Sequence, residues 1–168
     1  EVIEKHCGGM LNGIPLKAVI PGGSSVPVLT AAECNVNMDF DSLKAAGTLL
    51  GSAGMIVMNE SVCMVKELLT LSRFYAHESC GQCTPCREGA PWLFKIIRRI
   101  EDGGGREEDL GLLHELASNI EGRTICPLGD AAAWPVKAFV TKYKDEFLHH
   151  VHHRSCLVPS ASMTSRWN

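Results

Sequence analysis

No run of eighteen apolar residues occurs anywhere in the 168-residue sequence, so no segment has the make-up of a membrane-spanning helix. An excess of positive charge is also missing. Sixteen Lys and Arg stand against 19 Asp and Glu, for a formal net charge of -3. Without a basic stripe, nucleic acid is excluded as a partner. No G-x-G-x-x-G segment is present, so the chain lacks a glycine-rich cradle for a dinucleotide. No secretory leader pattern is visible. The sequence begins at Glu1 rather than Met, and we expect it to be part of a longer polypeptide.

What is present is enough apolar material for a core, together with many thiols. Apolar residues make up 45% of the chain and mean hydropathy is +0.04, which argues against global disorder. Eight cysteines is a high count. A secreted disulfide scaffold would spread them at varied spacings through a small, loop-rich chain. Here three are clustered, and the helical segments read as able to fold unaided. A metal-type site in a reducing compartment is the expectation.

Residues 1–60 read as β-rich with turns. "LKAVIPGGSSVPVL" (16–29) is two short apolar runs around Pro21, Gly22 and Gly23, and "AGMIVMNES" (53–61) predicts a buried strand. "DFDSLKAAGTLL" (39–50) predicts a short helix capped by Asp39 or Asp41. From Ser61 the apolar period becomes helical. Helices are predicted over 61–79 with Ser61 as cap, over 91–105 opening at Pro91 and stopping at three glycines, over 106–122, and over 130–151 capped by Asp130. Pro135 lies too deep for a first turn, which predicts a kink or a later start. The fold class is α+β, with a strand-rich unit over 1–60, a helical bundle over 61–150, and a disordered tail over 151–168.

The chemistry concentrates in "HESCGQCTPCREG" (77–89). Cys80, Cys83 and Cys86 stand two residues apart. That spacing lets a tight loop direct successive sulfurs at one inorganic core, and Cys-x2-Cys-x2-Cys is the run found at 4Fe–4S sites. The cube needs a fourth thiolate. The candidates are Cys126, Cys63, Cys34, Cys7 and Cys156. Cys126 is the best, because "RTICPLGD" is a loop between two predicted helices and Pro127 keeps it from continuing a helix. Pro85 fits a first helical position with Thr84 as cap, which puts Cys86 in a first turn where free N–H groups favour a thiolate. Arg87 adds positive charge, and Gly81 lets the loop backbone approach sulfur.

Other readings are weaker. Zinc accepts four thiolates but is usually held by two separated pairs. A thioredoxin-type CxxC would need a βαβ context that is missing. Cys63 reads as a small core residue, and Cys7 and Cys34 as structural thiols. The tract His149, His150, His152 and His153 has metal-binding composition, but with no second ligand group in view it reads as a fraying, solvated tail. Trp92 and Trp134 read as packing around the cluster loops.

"HESCGQCTPCREG" and "IEGRTICPLGDAAAWPV" (120–136) together resemble the flavoprotein subunit of respiratory NADH:ubiquinone oxidoreductase, complex I. "LKAVIPGGSSVPVL" and "MDFDSLKAAGTLLGSAGMIVM" (38–58) resemble the small β-grasp (ubiquitin-like) domain that precedes the cluster domain in that family. The resemblance covers about residues 1–147. It implies a partial β-grasp domain followed by an all-α four-helix-bundle iron–sulfur domain. Cys80, Cys83, Cys86 and Cys126 match the family's 4Fe–4S ligands one by one.

The implied role is electron transfer. In the family, NADH reduces FMN, and the flavin passes single electrons to the 4Fe–4S cluster and on to further iron–sulfur centres. The implied neighbours are other hydrophilic-arm subunits of complex I, notably the small 2Fe–2S subunit and the large iron–sulfur subunit. The implied location is the matrix side of the mitochondrial inner membrane, or the cytoplasmic side in a bacterium, without insertion into lipid. The family's FMN- and NADH-binding region lies upstream of the β-grasp domain and has no counterpart here, so this chain alone is not expected to bind FMN or NAD or to oxidise NADH. Pro91 and the tail after about His149 depart from the family pattern. The alternatives are a zinc-bearing or metal-free module for docking and assembly, or a flavoprotein subunit of an NAD-linked hydrogenase or formate dehydrogenase.

Overall fold

A computed structural model of the chain describes residues 1–158. The expected strands form one three-stranded antiparallel sheet, β1 Leu16–Ile20, β2 Leu29–Thr30 and β3 Ile56–Asn59, in the order β2-β1-β3. The Pro21–Gly23 turn separates β1 from β2. Gly22 is required there by a close approach, since a Cβ on it would lie 2.3 Å from the Leu49 carbonyl oxygen. The short helix α1, Phe40–Ala45, is capped by Asp39, whose carboxylate accepts from the Ser42 N–H at 2.7 Å. Strand β3 is less buried than its sequence predicts. It flanks the sheet, and Ile56 and Val57 are partly exposed.

Five helices follow: α2 Met64–Glu78, α3 Thr84–Glu101, α4 Glu108–Ile120, α5 Leu128–Lys142 and α6 Lys144–His153. Their apolar residues recur at helical steps. In α3 the buried positions are Cys86, Gly89, Ala90, Leu93, Ile96, Ile97 and Ile100. Helices α2 to α5 pack on one another, and their inner faces join Ala18, Ile20 and Met58 of the sheet in one hydrophobic cluster. Each fully buried Leu or Ile in it contributes about 1.5–3 kcal/mol. The sheet and the helices thus share one continuous core.

Several helix boundaries differ from those predicted. Helix α2 starts after Cys63, not Ser61, because the Ser61 hydroxyl and N–H both turn back to Asn59 Oδ1. Helix α3 begins at Thr84 and runs through Pro91, so no new helix opens there. Pro85 sets the first turn, and from there the ring at 91 costs the Arg87 carbonyl its partner without breaking the packed stripe. The stop at the glycines is as read. Gly104 N–H donates to Arg99 O at 2.8 Å and Gly103 N–H to Ile100 O at 3.1 Å, with Gly103 at φ +78. Helix α5 starts at Leu128 and carries Pro135 inside it.

The last predicted helix is two. Tyr143 breaks it, and its hydroxyl donates to the Lys17 carbonyl of β1 at 3.1 Å. Beside it, Lys17 Nζ lies 2.5 Å from Glu146 Oε1 and donates to Val62 O at 2.7 Å, while Glu146 Oε2 accepts from Met64 N–H at 3.1 Å. Both charges are buried. This pair locks α6 onto the sheet and onto the start of α2. The tail expected from 151 is not one at its start: Val151–His153 are helical, and His150, read as solvated, is 2% exposed. The rest of that expectation, from 159 to 168, lies outside the described residues.

Candidate metal centre

Cys80 and Cys83 lie in the loop between α2 and α3, and Cys86 lies in the first turn of α3. Helix α2 ends at Ser79, which turns extended at ψ 120, and Gly81 follows at φ +78, a conformation that favours glycine. Cys80 is exposed, Cys83 half-buried and Cys86 buried. The cap of α3 is Cys83 rather than Thr84, and Cys86 lies in the first turn as predicted. The Ser79 hydroxyl is 3.2 Å from Cys86 Sγ. Arg87 donates to Gly81 O at 3.1 Å and to Thr84 Oγ1 at 3.4 Å, so its guanidinium spans the loop.

The loop from 121 to 127, between α4 and α5, carries Cys126. Its Ile125 N–H donates to Cys83 Sγ at 3.3 Å, which brings this loop against the thiol run. The loop is held at both ends. Asp130 is not a cap: its carboxylate reaches across to accept from Gly122 N–H at 2.7 Å. Glu121 accepts from Trp134 Nε1 at 2.7 Å and from Lys137 Nζ at 2.6 Å. The Lys137 hydrogen bond, opposed by partial burial, holds the Glu121 carboxyl below its ordinary value. Inside the loop Thr124 Oγ1 donates to Cys126 O at 2.9 Å, and a Cβ at Gly129 would lie 2.4 Å from that hydroxyl. Trp134 thus supports the loop, whereas Trp92, expected to pack there, is 49% exposed.

The donor set fits an iron–sulfur cube. Four thiols come from two facing loops and the first turn of α3, one sulfur is buried, and another accepts a backbone N–H. Residue spacing showed the triple run. It could not show the Ile125 N–H, the Ser79 hydroxyl or the Asp130 brace, because backbone groups and loop closures leave no side-chain pattern.

Of the remaining cysteines, Cys34 donates to Thr30 O at 3.2 Å and burial raises its thiol, while Cys7 is exposed. Cys63 lies at the other end of α2, where burial pushes its thiol up to about 12. It meets His150 and Cys156 there. The second ligand group that the histidine tract lacked in the sequence is supplied by the fold. The large cleft of about 500 Å³ bordered by Thr48, His114, Trp134 and Lys137 has no cysteine in its lining.

Residues 66–150 match the family described as the NADH-ubiquinone oxidoreductase-F iron-sulfur binding region. The chain is 51% identical over 156 residues to the second F-type chain of NADH-quinone oxidoreductase of Rhizobium meliloti (strain 1021), covering 93% of this chain and 37% of the relative. It is 52% identical over 148 residues to NADH dehydrogenase (ubiquinone) flavoprotein 1, mitochondrial, of Dictyostelium discoideum, covering 87% and 31%. The chain thus spans about a third of the length of these relatives. Among solved structures, a NAD+-reducing NiFe hydrogenase in the H2-reduced state is similar with a TM-score of 0.68 and 24% identity, covering 82% of this chain and 23% of that one. That likeness concerns the fold.

Proposed function

The chain belongs to the NADH-ubiquinone oxidoreductase-F iron–sulfur family, and from that premise we propose that it is the cluster-bearing part of the NADH-oxidising flavoprotein subunit of complex I. Cys80, Cys83, Cys86 and Cys126 hold a 4Fe–4S cluster. The observation that carries the reading is the Ile125 N–H on Cys83 Sγ, which joins the loop of Cys126 to a triple run much earlier in the chain. The bound cluster supplies one-electron transfer. The protein's own groups prepare the site. Cys86 sits in the positive first turn of α3 beside the Ser79 hydroxyl, and the Ile125 N–H reaches Cys83 sulfur from the facing loop. Arg87 holds the loop closed beside them.

In this reading β1 to β3 with α1 are the remaining part of a β-grasp unit over 1–60, and α2 to α5 are the four-helix bundle over 61–150. The antiparallel sheet beside a short helix, and the mutual packing of α2 to α5, support that division. FMN and NAD belong to the part of the relatives' length that this chain does not span. The small 2Fe–2S subunit and the large iron–sulfur subunit are its partners in the relay. No helix among the described residues is long and apolar enough to cross a membrane. The chain is held at the mitochondrial or bacterial inner membrane through the rest of the complex. Identity near 50% to complex I chains, against 24% to the NAD+-reducing hydrogenase, favours this assignment over a hydrogenase subunit.

Reconstitution under anaerobic conditions tests it. The full chain should take up about four irons and four sulfides and give an EPR signal on reduction. Cys126→Ser should abolish or cripple that uptake. Folded wild-type protein that takes up no iron would overturn the assignment.

A further inference from the structure

Helix α2 is 15 residues long, so its two ends lie about 22 Å apart at 1.5 Å per residue. The cysteine loop is at one end. At the other, Cys63 caps the helix with a sulfur that makes no capping hydrogen bond. Its Sγ lies 3.3 Å from His150 Nε2. Cys156, just past the end of α6, joins them, and all three ligand atoms lie within 4.8 Å of one another. Tetrahedral bonds of about 2.0–2.3 Å put neighbouring ligands roughly 3.3–3.8 Å apart, a spacing the Cys63–His150 pair already has and that a small inward shift of Cys156 would complete. A cube spreads its sulfurs over separate irons.

The histidine itself points to a ligand. His150 is 2% exposed, and among the described residues its Nδ1 has no hydrogen-bond partner. Glu101 Oε2 is likewise buried and unpartnered, and it lies 3.5 Å from that Nδ1. One ring nitrogen thus faces two sulfurs and the other faces a carboxylate. That is the arrangement in which a carboxylate orients a metal-bound imidazole.

We propose that Cys63, His150 and Cys156 form a second metal site, separate from the cluster loops, that takes a thiophilic divalent ion of the zinc class. Cys63 and Cys156 supply thiolates, His150 binds through Nε2, and solvent takes the fourth position. Glu101 is a positioning residue whose carboxylate accepts a hydrogen bond from the His150 Nδ1–H. The ion would pin the segment after α6 to the start of α2.

The test uses the full chain, reconstituted anaerobically with iron and sulfide, offered zinc, and then challenged with a chelator. Metal analysis should find about one zinc beside the iron, and zinc-edge X-ray absorption should show two sulfurs at about 2.3 Å and one imidazole nitrogen at about 2.0–2.1 Å. Cys156→Ser, which lies beyond the last helix and spares the core, should weaken zinc retention at least tenfold and leave iron unchanged. Glu101→Gln should weaken it about 10–100-fold. Cys126→Ser should lose iron and keep zinc. Zinc retained equally by Cys156→Ser, zinc lost with Cys126→Ser, or an all-sulfur zinc shell would each overturn the proposal. His150→Gln, if it folds, should repeat the Cys156→Ser result. Should it unfold, Cys156→Ser alone decides.

Discussion

Helix α2 has sulfur at both ends, and the two ends are built in opposite ways. At the C-terminal end, three thiols come from one short loop and the helix turn that follows it, and two of the four proposed ligands are exposed. At the N-terminal end, the ligands come from positions 63, 150 and 156, and the histidine among them is buried. Three of the first site's four thiols are local and can be presented before the rest of the fold is complete, and the fourth, Cys126, arrives with the facing loop. The second exists only when α6 is docked on the sheet, because loop-distant groups meet only after long-range packing has formed. A dense motif is visible in the order of residues, whereas a site that only packing assembles is not.

The largest expected effect breaks the contrast at the docked end. Lys17→Met leaves Glu146 buried without its cation, and unfolding free energy should fall by about 3–5 kcal/mol in urea. Zinc retention should fall with it at sub-denaturing urea, while iron at the other end persists. A loss under about 1 kcal/mol would mean that α6 is held by something other than this pair.

Next is Gly129→Ala, aimed at the cluster end. The added Cβ would meet Thr124, and overpacking of this kind costs about 1–3 kcal/mol. The displaced Cys126 loop should release iron faster, with zinc at the other end unchanged. Iron release at the wild-type rate would show that the loop adjusts freely.

Ser79→Ala sharpens the same end more gently. A thiolate can only accept, so the hydroxyl donates to Cys86 Sγ when the cluster is bound. Its loss should cost about 0.5–1.5 kcal/mol and move the cluster's midpoint potential to more negative values in a redox titration.

The smallest effect concerns pH. The Glu121 carboxyl is held below its ordinary 4.5 mainly by Lys137, so the folded state favours its charged form. The stability this contributes is fully present above that ordinary value and is lost as pH falls through the lowered one. Glu121 is about a third exposed, so the effect is small. Urea midpoints for Glu121→Gln should match wild type near the acid end and fall slightly below it at neutral pH. A constant difference at every pH would mean that the link to Lys137 is not electrostatic.

Much of the fold could be read from local pattern. The strand runs at 16–20 and 56–59, the apolar stripe of α3 and the triple-glycine stop all follow from period and backbone preference. Pro91 misled because a proline within a long stripe looks the same as one at a start; only the packing of the residues before it decides. His150 misled for a related reason. A histidine tract near a chain end has the composition of a solvated tail, and its burial depends on the pairing of Lys17 with Glu146, which lie near opposite ends of the chain.

The order of residues alone dictated the helical and extended segments, the triple thiol run and the loop character of the Cys126 segment, because backbone preference and two-residue spacing act over a few neighbouring residues. Only the tertiary structure decided that the Ile125 N–H meets Cys83, that Asp130 braces a loop instead of capping a helix, and that Cys63, His150 and Cys156 converge. Those outcomes depend on which faces are buried together, and burial is settled by the whole core at once.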